Sequence, residues 1–139
     1  MAVIGFNIID IKAKRNATKT VAQKGLEVNH AISITDVAKS PLNVAQNEGS
    51  EVLRVLYDFA VAYQDVGNVS IKGEIVFTDT KEIIEESAKS WKQDKKLPQM
   101  VDMEVRKFAY SKSLIQAMNL SDLLNLPAPI PLPKFELKK

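Results

Sequence analysis

The sequence predicts an α+β domain in which a four-stranded antiparallel sheet is followed by two or three helices packed on one face. In four segments between residues 4 and 78, apolar side chains recur at every second position, as in strands with one covered face. At Asp79 the apolar spacing changes to the three- and four-residue period of helices. Four of the six prolines then alternate with other residues from Pro127 to Pro133, which predicts an extended arm.

The first two strands are predicted from this alternation. In the first, the apolar positions 4, 6 and 8 share one parity, whereas 11 and 13 take the other, which predicts a β-bulge near residues 8–9. In the second, apolar positions 26, 28, 32 and 34 share one parity, with His30 between them. His30, the single histidine, is therefore expected as a buried, hydrogen-bonded core residue rather than a catalytic or ligand-binding one.

The third strand, residues 51–63, is largely apolar on both faces, as is typical of a central strand whose second face is also covered. A hairpin loop at 64–68 leads to the fourth strand, 68–78, and the short connections predict an antiparallel meander. Monomers rarely expose a large apolar patch. We therefore expect copies of the chain to associate, through the sheet edges or through the second face, where the candidate interface residues are Val52, Leu56, Ala60, Ala62 and Val76.

Helix signals follow the sheet. Asp79 with Glu82 resembles a capping box, and it predicts a helix over 80–94 whose apolar side consists of Ile83, Ile84, Ser87, Ala88 and Trp91. Pro98 predicts the start of a second helix over residues 99–118, with Ile115 among the residues of its broad apolar side. Ser121 predicts the cap of a short third turn at 122–126, which the prolines end.

Length and composition limit the class of protein. At 139 residues and 15.5 kDa the chain is expected to be a single domain, 1–139, with the proline-rich arm at 126–135. The 19 basic and 17 acidic residues are mixed along the sequence, which indicates a solvated surface and no nucleic-acid partner. No segment approaches the roughly 20 apolar residues that a membrane span needs. We therefore expect neither membrane insertion nor a signal peptide. We expect the protein to be cytoplasmic.

Nothing in the sequence reads as an active site, so we expect no enzyme, no cofactor and no metal. There is no cysteine, no glycine-rich phosphate loop and no nucleophile elbow. A metal site would need carboxylates alone, and the acidic pair Glu85 and Glu86 is better explained as a solvated helix turn. Trp91 and the methionines 100, 103 and 118 are expected to pack. An enzyme with a carboxylate-only site is the remaining minor alternative.

Two short motifs carry a resemblance to a known family. Residues 124–130 read Leu-Asn-Leu-Pro-Ala-Pro-Ile, and residues 108–110 of the long helix read Phe-Ala-Tyr. With four strands before them, these segments resemble the SecB-type export chaperones. The resemblance implies an ATP-independent holdase that binds unfolded polypeptides or preproteins in apolar grooves and assembles as a dimer or tetramer. Relatives serve toxin–antitoxin pairs, and export members contact a translocation motor through acidic residues, for which Glu74 is the candidate here.

This chain departs from the export members because it is slightly basic, has an additional helix at 80–94 and lacks an acidic or zinc-contacting tail. The expected groove is lined by apolar residues of the second loop and the arm: Leu42, Val44, Leu124, Leu126, Ile130, Leu132 and Phe135. Alternatively, the arm covers a sheet edge or helix of its own or a neighbouring subunit. The alternative function is a non-catalytic structural or interaction subunit that forms homo-oligomers without binding clients.

Overall fold

Residues 2–16, 28–40, 50–64, 66–126 and 129 are described by the structure, a computed structural model. Four strands precede two helices: β1 Ala2–Arg15, β2 Asn29–Lys39, β3 Ser50–Ala62, β4 Gly67–Thr80, α1 Lys81–Asp94 and α2 Gln99–Leu123. Both helices pack on the same face of one antiparallel sheet. The predicted α+β class is confirmed.

The strand order is β1-β4-β3-β2. Strands β2, β3 and β4 are sequential neighbours, and β3 is central as predicted. The predicted meander of all four strands is wrong, however, because β1 pairs with β4 rather than with β2. Alternation determines which face a side chain takes, but it carries no information about which strand lies alongside.

Three register shifts interrupt the pairing. The shift between Ile8 and Asp10 confirms the predicted bulge, and β1 has a second shift between Val3 and Gly5. The shift in β2 lies between Ile34 and Asp36. All three are in β1 and β2, the edge strands, where bulges are most common. In β2, the residues that follow Ile34 are polar, so the alternation of apolar residues did not show the change of phase there.

The core lies between the sheet and α2. The odd-numbered residues of β3 from Leu53 to Val61 are at most 1% exposed, as the predicted apolar face requires. Facing them, α2 buries every fourth residue, which is one stripe of a helix. From Ala109 onward these residues are small, so the helix can approach the large aromatic side chains of the sheet closely: Ala109, Ser113, Ala117 and Ser121.

Two buried tyrosines are hydrogen-bonded to this stripe. The hydroxyl of Tyr57 lies 2.7 Å from Ser113 Oγ, and that of Tyr63 lies 2.7 Å from Ser121 Oγ. Because Ser121 Oγ donates to the Ala117 carbonyl, Tyr63 is the donor in the second pair. Each phenol thus has a partner, as buried polar groups require.

These tyrosines make stability depend on pH. Burial raises the pKa of Tyr57 and the pKa of Tyr63 above the ordinary phenol value, although their serine hydrogen bonds act in the opposite direction. In the unfolded chain a phenol ionises at about pH 10. The folded state therefore holds these protons more tightly, and the resulting stability is present below about pH 10 and is lost as the pH rises through the folded pKa.

We expect the free energy of unfolding to fall steadily above about pH 10. The double substitution Tyr57→Phe and Tyr63→Phe removes both groups and should make this decline shallower. Urea unfolding followed by circular dichroism at a series of alkaline pH values measures the slope for each protein. Equal slopes for the wild type and the double variant would contradict the assignment.

The predicted first helix is confirmed with a shifted cap. Thr80, not Asp79, is the N-cap residue, and its Oγ accepts from the backbone N–H of Ile83 at 3.5 Å. The Asp79 carboxylate instead accepts from the N–H of Thr80 at 2.7 Å. Ile84, Ser87 and Trp91 are the buried residues of α1, on the predicted apolar side.

Helix α2 continues beyond its predicted end, so a separate third turn does not form. Ser121 lies within the helix with its hydroxyl on Tyr63, because the stripe of buried positions extends to it without a break. The helix ends in a Schellman motif. The N–H of Leu126 donates to the Ser121 carbonyl at 2.8 Å, the N–H of Asn125 donates to the Asp122 carbonyl at 3.2 Å, and Asn125 has a φ of 55°. Neither helix is long and apolar enough to cross a membrane within the described part of the chain.

The sheet face opposite the helices carries charged side chains as well as the predicted apolar ones. Val52 and Val76 are already buried within one chain, at 2% and 7% exposure, whereas Leu56 and Ala60 are half-buried and Ala62 is exposed. Charged residues stand among them, with an Arg54–Glu74 ion pair of 2.7 Å. An interface between copies of the chain on this face stays a prediction.

Candidate functional site

The start of the proline-rich arm is anchored at one end of the sheet. Leu126 is 7% exposed and belongs to the hydrophobic core. Its Cδ1 lies 3.2 Å from the position that a β-carbon on Gly67 would occupy, and the Lys14 carbonyl oxygen lies 2.5 Å from the same position. Because Gly67, the first residue of β4, has no β-carbon, Leu126 can pack directly against it.

Arg15, at the end of β1, holds the end of α2. Its Nη1 donates to the carbonyl of Leu124 at 3.1 Å and also to that of Asn125. Carbonyls at a helix C-terminus lack partners within the helix, and a cation there is favoured by the helix dipole. The guanidinium thus joins the helix end to the edge strand.

His30, at the start of β2, forms a hydrogen bond with the arm at a second position. Its Nε2 is hydrogen-bonded to the carbonyl of Pro129, which is buried, and its Nδ1 lies 3.2 Å from the hydroxyl of Tyr110. A carbonyl only accepts, so Nε2 carries the proton, and in the neutral ring Nδ1 accepts from Tyr110. The ring also lies 6.5 Å from that of Phe59.

The expectation of a buried His30 is wrong, although the hydrogen bonds are present. The residue is exposed because it lies on an edge strand, which has a neighbouring strand on one side only. Its parity is as predicted, since it pairs with Val61 on the helix-facing side. Its partners come from Tyr110 and Pro129, which are distant in sequence, so the strand pattern contained no signal of them.

These contacts join the end of α2 and the described residues of the arm to three of the four strands. Asn125 meets β1, Leu126 meets β4, and Pro129 meets β2, in the order in which those strands lie in the sheet.

The predicted groove residues divide into two groups. Leu124 is half-buried and Leu126 is buried, and both pack on their own chain. The others lie outside the described residues: Leu42, Val44, Ile130, Leu132 and Phe135. The described residues of the arm, Leu126 and Pro129, thus contact an end of their own sheet, and both interpretations of the arm stay predictions.

Several large apolar side chains are exposed elsewhere. On α2 these are Met100, Met103, Ile115 and Leu123, between 57% and 83% exposed, and on β1 they are Ile4, Ile9 and Ile11, between 43% and 56%. The assignment of Ile115, Met100 and Met103 to packing is wrong, because a long helix on an open-sided sheet buries one narrow stripe and these residues lie off it. The β1 residues are on an edge strand, which the sequence did not reveal.

No group of three or more histidine, aspartate or glutamate side chains that could hold a metal ion occurs among the described residues. The Glu74 carboxylate, the candidate for motor contact, is 16% exposed and ion-paired with Arg54. The described surface carries exposed apolar side chains on α2 and β1.

No protein-family model and no curated protein matches this sequence. A solved structure does match: the SecB-like chaperone Rv1957 of Mycobacterium tuberculosis in complex with a ChAD peptide from the HigA1 antitoxin. The alignment has a TM-score of 0.57 and 16% sequence identity, and it covers 96% of this chain and 88% of the other. At this identity the similarity concerns the fold. The four-stranded sheet with its two helices has the SecB-like fold.

Proposed function

We propose that this protein is an ATP-independent chaperone of the holdase type, which binds unfolded polypeptides or preproteins through apolar contacts. The observation that carries the proposal is the set of exposed apolar side chains on α2 and β1 of a chain with the SecB-like fold. Large exposed apolar side chains in such number are typical of a surface that binds other chains. The solved neighbour is in complex with a peptide, which supports a peptide-binding role in general.

The proposed client-binding surface adds the second loop and the arm beyond Pro129 to the exposed apolar side chains of α2 and β1. The added apolar residues are Leu42, Val44, Leu124, Ile130, Leu132 and Phe135. Leu126 serves this surface as the anchor, since it is 7% exposed. Each apolar contact contributes about 25 cal/mol per Å² of buried area, and many weak contacts permit both binding of diverse sequences and release without ATP.

We further propose that the protein works in the cytoplasm as a homo-oligomer, a dimer or a tetramer. Strand β1 is an edge whose backbone can pair with another strand, and it carries the exposed isoleucines 4, 9 and 11. The interface candidates on the opposite sheet face remain Val52, Leu56, Ala60, Ala62 and Val76. Contact of a translocation motor with Glu74 would require Arg54 to be displaced from it.

Aggregation of an unrelated unfolded protein tests the function. Light scattering of chemically denatured citrate synthase on dilution should be suppressed by a near-stoichiometric amount of this protein. The triple variant Ile130→Ser, Leu132→Ser and Phe135→Ser should lose most of the suppression, because it removes the arm's apolar area and leaves the anchors intact. The matched control replaces Lys134, Lys138 and Lys139 with serine in the same segment and should retain it.

If the light scattering of the client is unchanged by an excess of the wild-type protein, the chaperone proposal is contradicted. The alternative, a structural subunit without client binding, predicts that outcome together with an oligomer in solution. Measuring the solution mass by light scattering, with and without reduced α-lactalbumin as an unfolded ligand, separates the two. A chaperone gains mass with the ligand, whereas a structural subunit does not.

A further inference from the structure

A polar cavity of about 390 Å³ lies between the end of α1, the start of α2 and the middle of β2. It is separate from the anchored arm and from the apolar surface described above. Its walls include Trp91, Lys95, Lys96, Gln99, Asp102 and Arg106. A volume of this size accommodates a carboxylate or phosphate group together with a short carrier.

The cavity is positively charged. Lys95, Lys96 and Arg106 are opposed by one carboxylate, Asp102, which binds Arg106 Nε through both oxygens at 2.9 and 3.0 Å. Arg106 Nη1 donates to the Ile32 carbonyl at 2.9 Å, so the guanidinium is fixed on the wall. Lys95 Nζ lies over the Trp91 ring, 5.6 Å from its centroid. The excess of cations favours an anion.

Trp91 supplies an independent observation. The residue is only 8% exposed, and its buried indole Nε1 has no hydrogen-bond acceptor among the residues that the structure describes. A buried donor without an acceptor costs about 1–3 kcal/mol, and such groups are rare in folded proteins. Because Trp91 also lines the cavity, an acceptor bound there could satisfy the indole after a small movement of the Lys95 side chain that lies over it.

The start of α2 adds further donors. Its N-cap residue is Pro98, which makes no side-chain capping hydrogen bond, and Gln99, the first helical residue, lines the cavity. The first N–H groups of a helix have no acceptors within it and bind anions well. The first residue of α2, two lysines, a fixed arginine and Trp91 thus line one cavity.

We propose that this cavity binds a compact oxyanion, either the carboxylate of a bound peptide or free phosphate. The oxyanion would accept hydrogen bonds from the start of α2 and from the Trp91 indole and be neutralised by Lys95, Lys96 and Arg106. Such a ligand would join both helices to β2. This site does not depend on the chaperone function, so each can fail without the other.

The single tryptophan makes the test direct, since the protein has one indole N–H resonance. Full-length ¹⁵N-labelled protein is titrated with sodium phosphate, with a short peptide that has a free C-terminal carboxylate, and with the same peptide amidated, at constant ionic strength. The indole resonance should shift saturably with phosphate or with the free-carboxylate peptide, and the amidated peptide should leave it unmoved. The ligand that binds more tightly identifies the source of the oxyanion.

Charge variants locate the site. The double variant Lys95→Gln and Lys96→Gln should weaken binding by at least about tenfold, because it removes two charge-assisted contacts. The matched control Lys89→Gln with Lys92→Gln makes the same change of charge on exposed positions of α1 that do not line the cavity. Absence of a saturable shift with every probe, or equal weakening in both variants, would overturn the proposal.

Discussion

Leu126→Ala is expected to lower the free energy of unfolding by about 2–5 kcal/mol, the range for truncating a buried leucine. Leu126 is 7% exposed and sits in the core, although it follows the last helix and precedes a proline. The backbone around it is fixed by the Schellman hydrogen bonds and by Arg15. Little relaxation into the resulting cavity is therefore expected, which places the cost toward the upper part of the range.

Leu123→Ala is the matched control. It makes the same chemical change three residues earlier, at a side chain that is 77% exposed, and should change stability by less than about 0.5 kcal/mol. Urea unfolding followed by circular dichroism measures both variants. If the two variants lose similar stability, Leu126 is not an anchor of the arm, and the account of its attachment to the sheet end fails.

Gly73→Ala is expected to cost about 1–3 kcal/mol, the range for overpacking a core. A β-carbon at Gly73 would lie 2.5 Å from Tyr57 Oη and 2.6 Å from Cε1 and Cζ of that ring. The ring lies over the glycine, is 1% exposed and has its hydroxyl on Ser113. To make room, it would have to leave its packing and its hydrogen bond.

Gly5→Ala is the control for this substitution. Gly5 is also in a strand, and a β-carbon there would lie 3.6 Å from Val76 Cβ, an ordinary contact. Alanine loses less backbone entropy on folding than glycine does, so this variant should be as stable as the wild type or more so. Thermal unfolding of the two variants separates a steric cost at Gly73 from a general cost of alanine in a strand. Equal melting temperatures would show that Tyr57 does not need the space.

Local pattern was sufficient for much of the architecture. The two-residue period identified four strands, the helix-facing side of β3 and the bulge of β1, because alternation directly reports which side chains are covered. The change of period at Asp79 identified α1, and its cap was misplaced by one residue because Asp79 and Thr80 are both good caps. The end of α2 was misjudged because Ser121 resembles a cap and is in fact a core residue.

The candidate site was visible only in part. The prolines indicated an arm with an apolar surface, and Leu124 and Leu126 were identified as contact residues in it. That Leu126 would be an anchor, and that Arg15 and His30 would hold neighbouring carbonyls, depends on contacts across about 100 residues of sequence. The oxyanion cavity has no sequence motif, since its walls come from three separate elements.

Hydrophobic spacing acts over a few residues, so the class of fold, the strands and helices, and the face that each strand buries follow from the order of residues along the chain. That β1 lies beside β4, which makes β1 and β2 the edges, becomes known from the folded arrangement alone. That order also sets where Arg15, Gly67 and His30 meet the start of the arm. Strand neighbours are chosen by the packing of whole surfaces over long chain separations, and no local pattern records that choice.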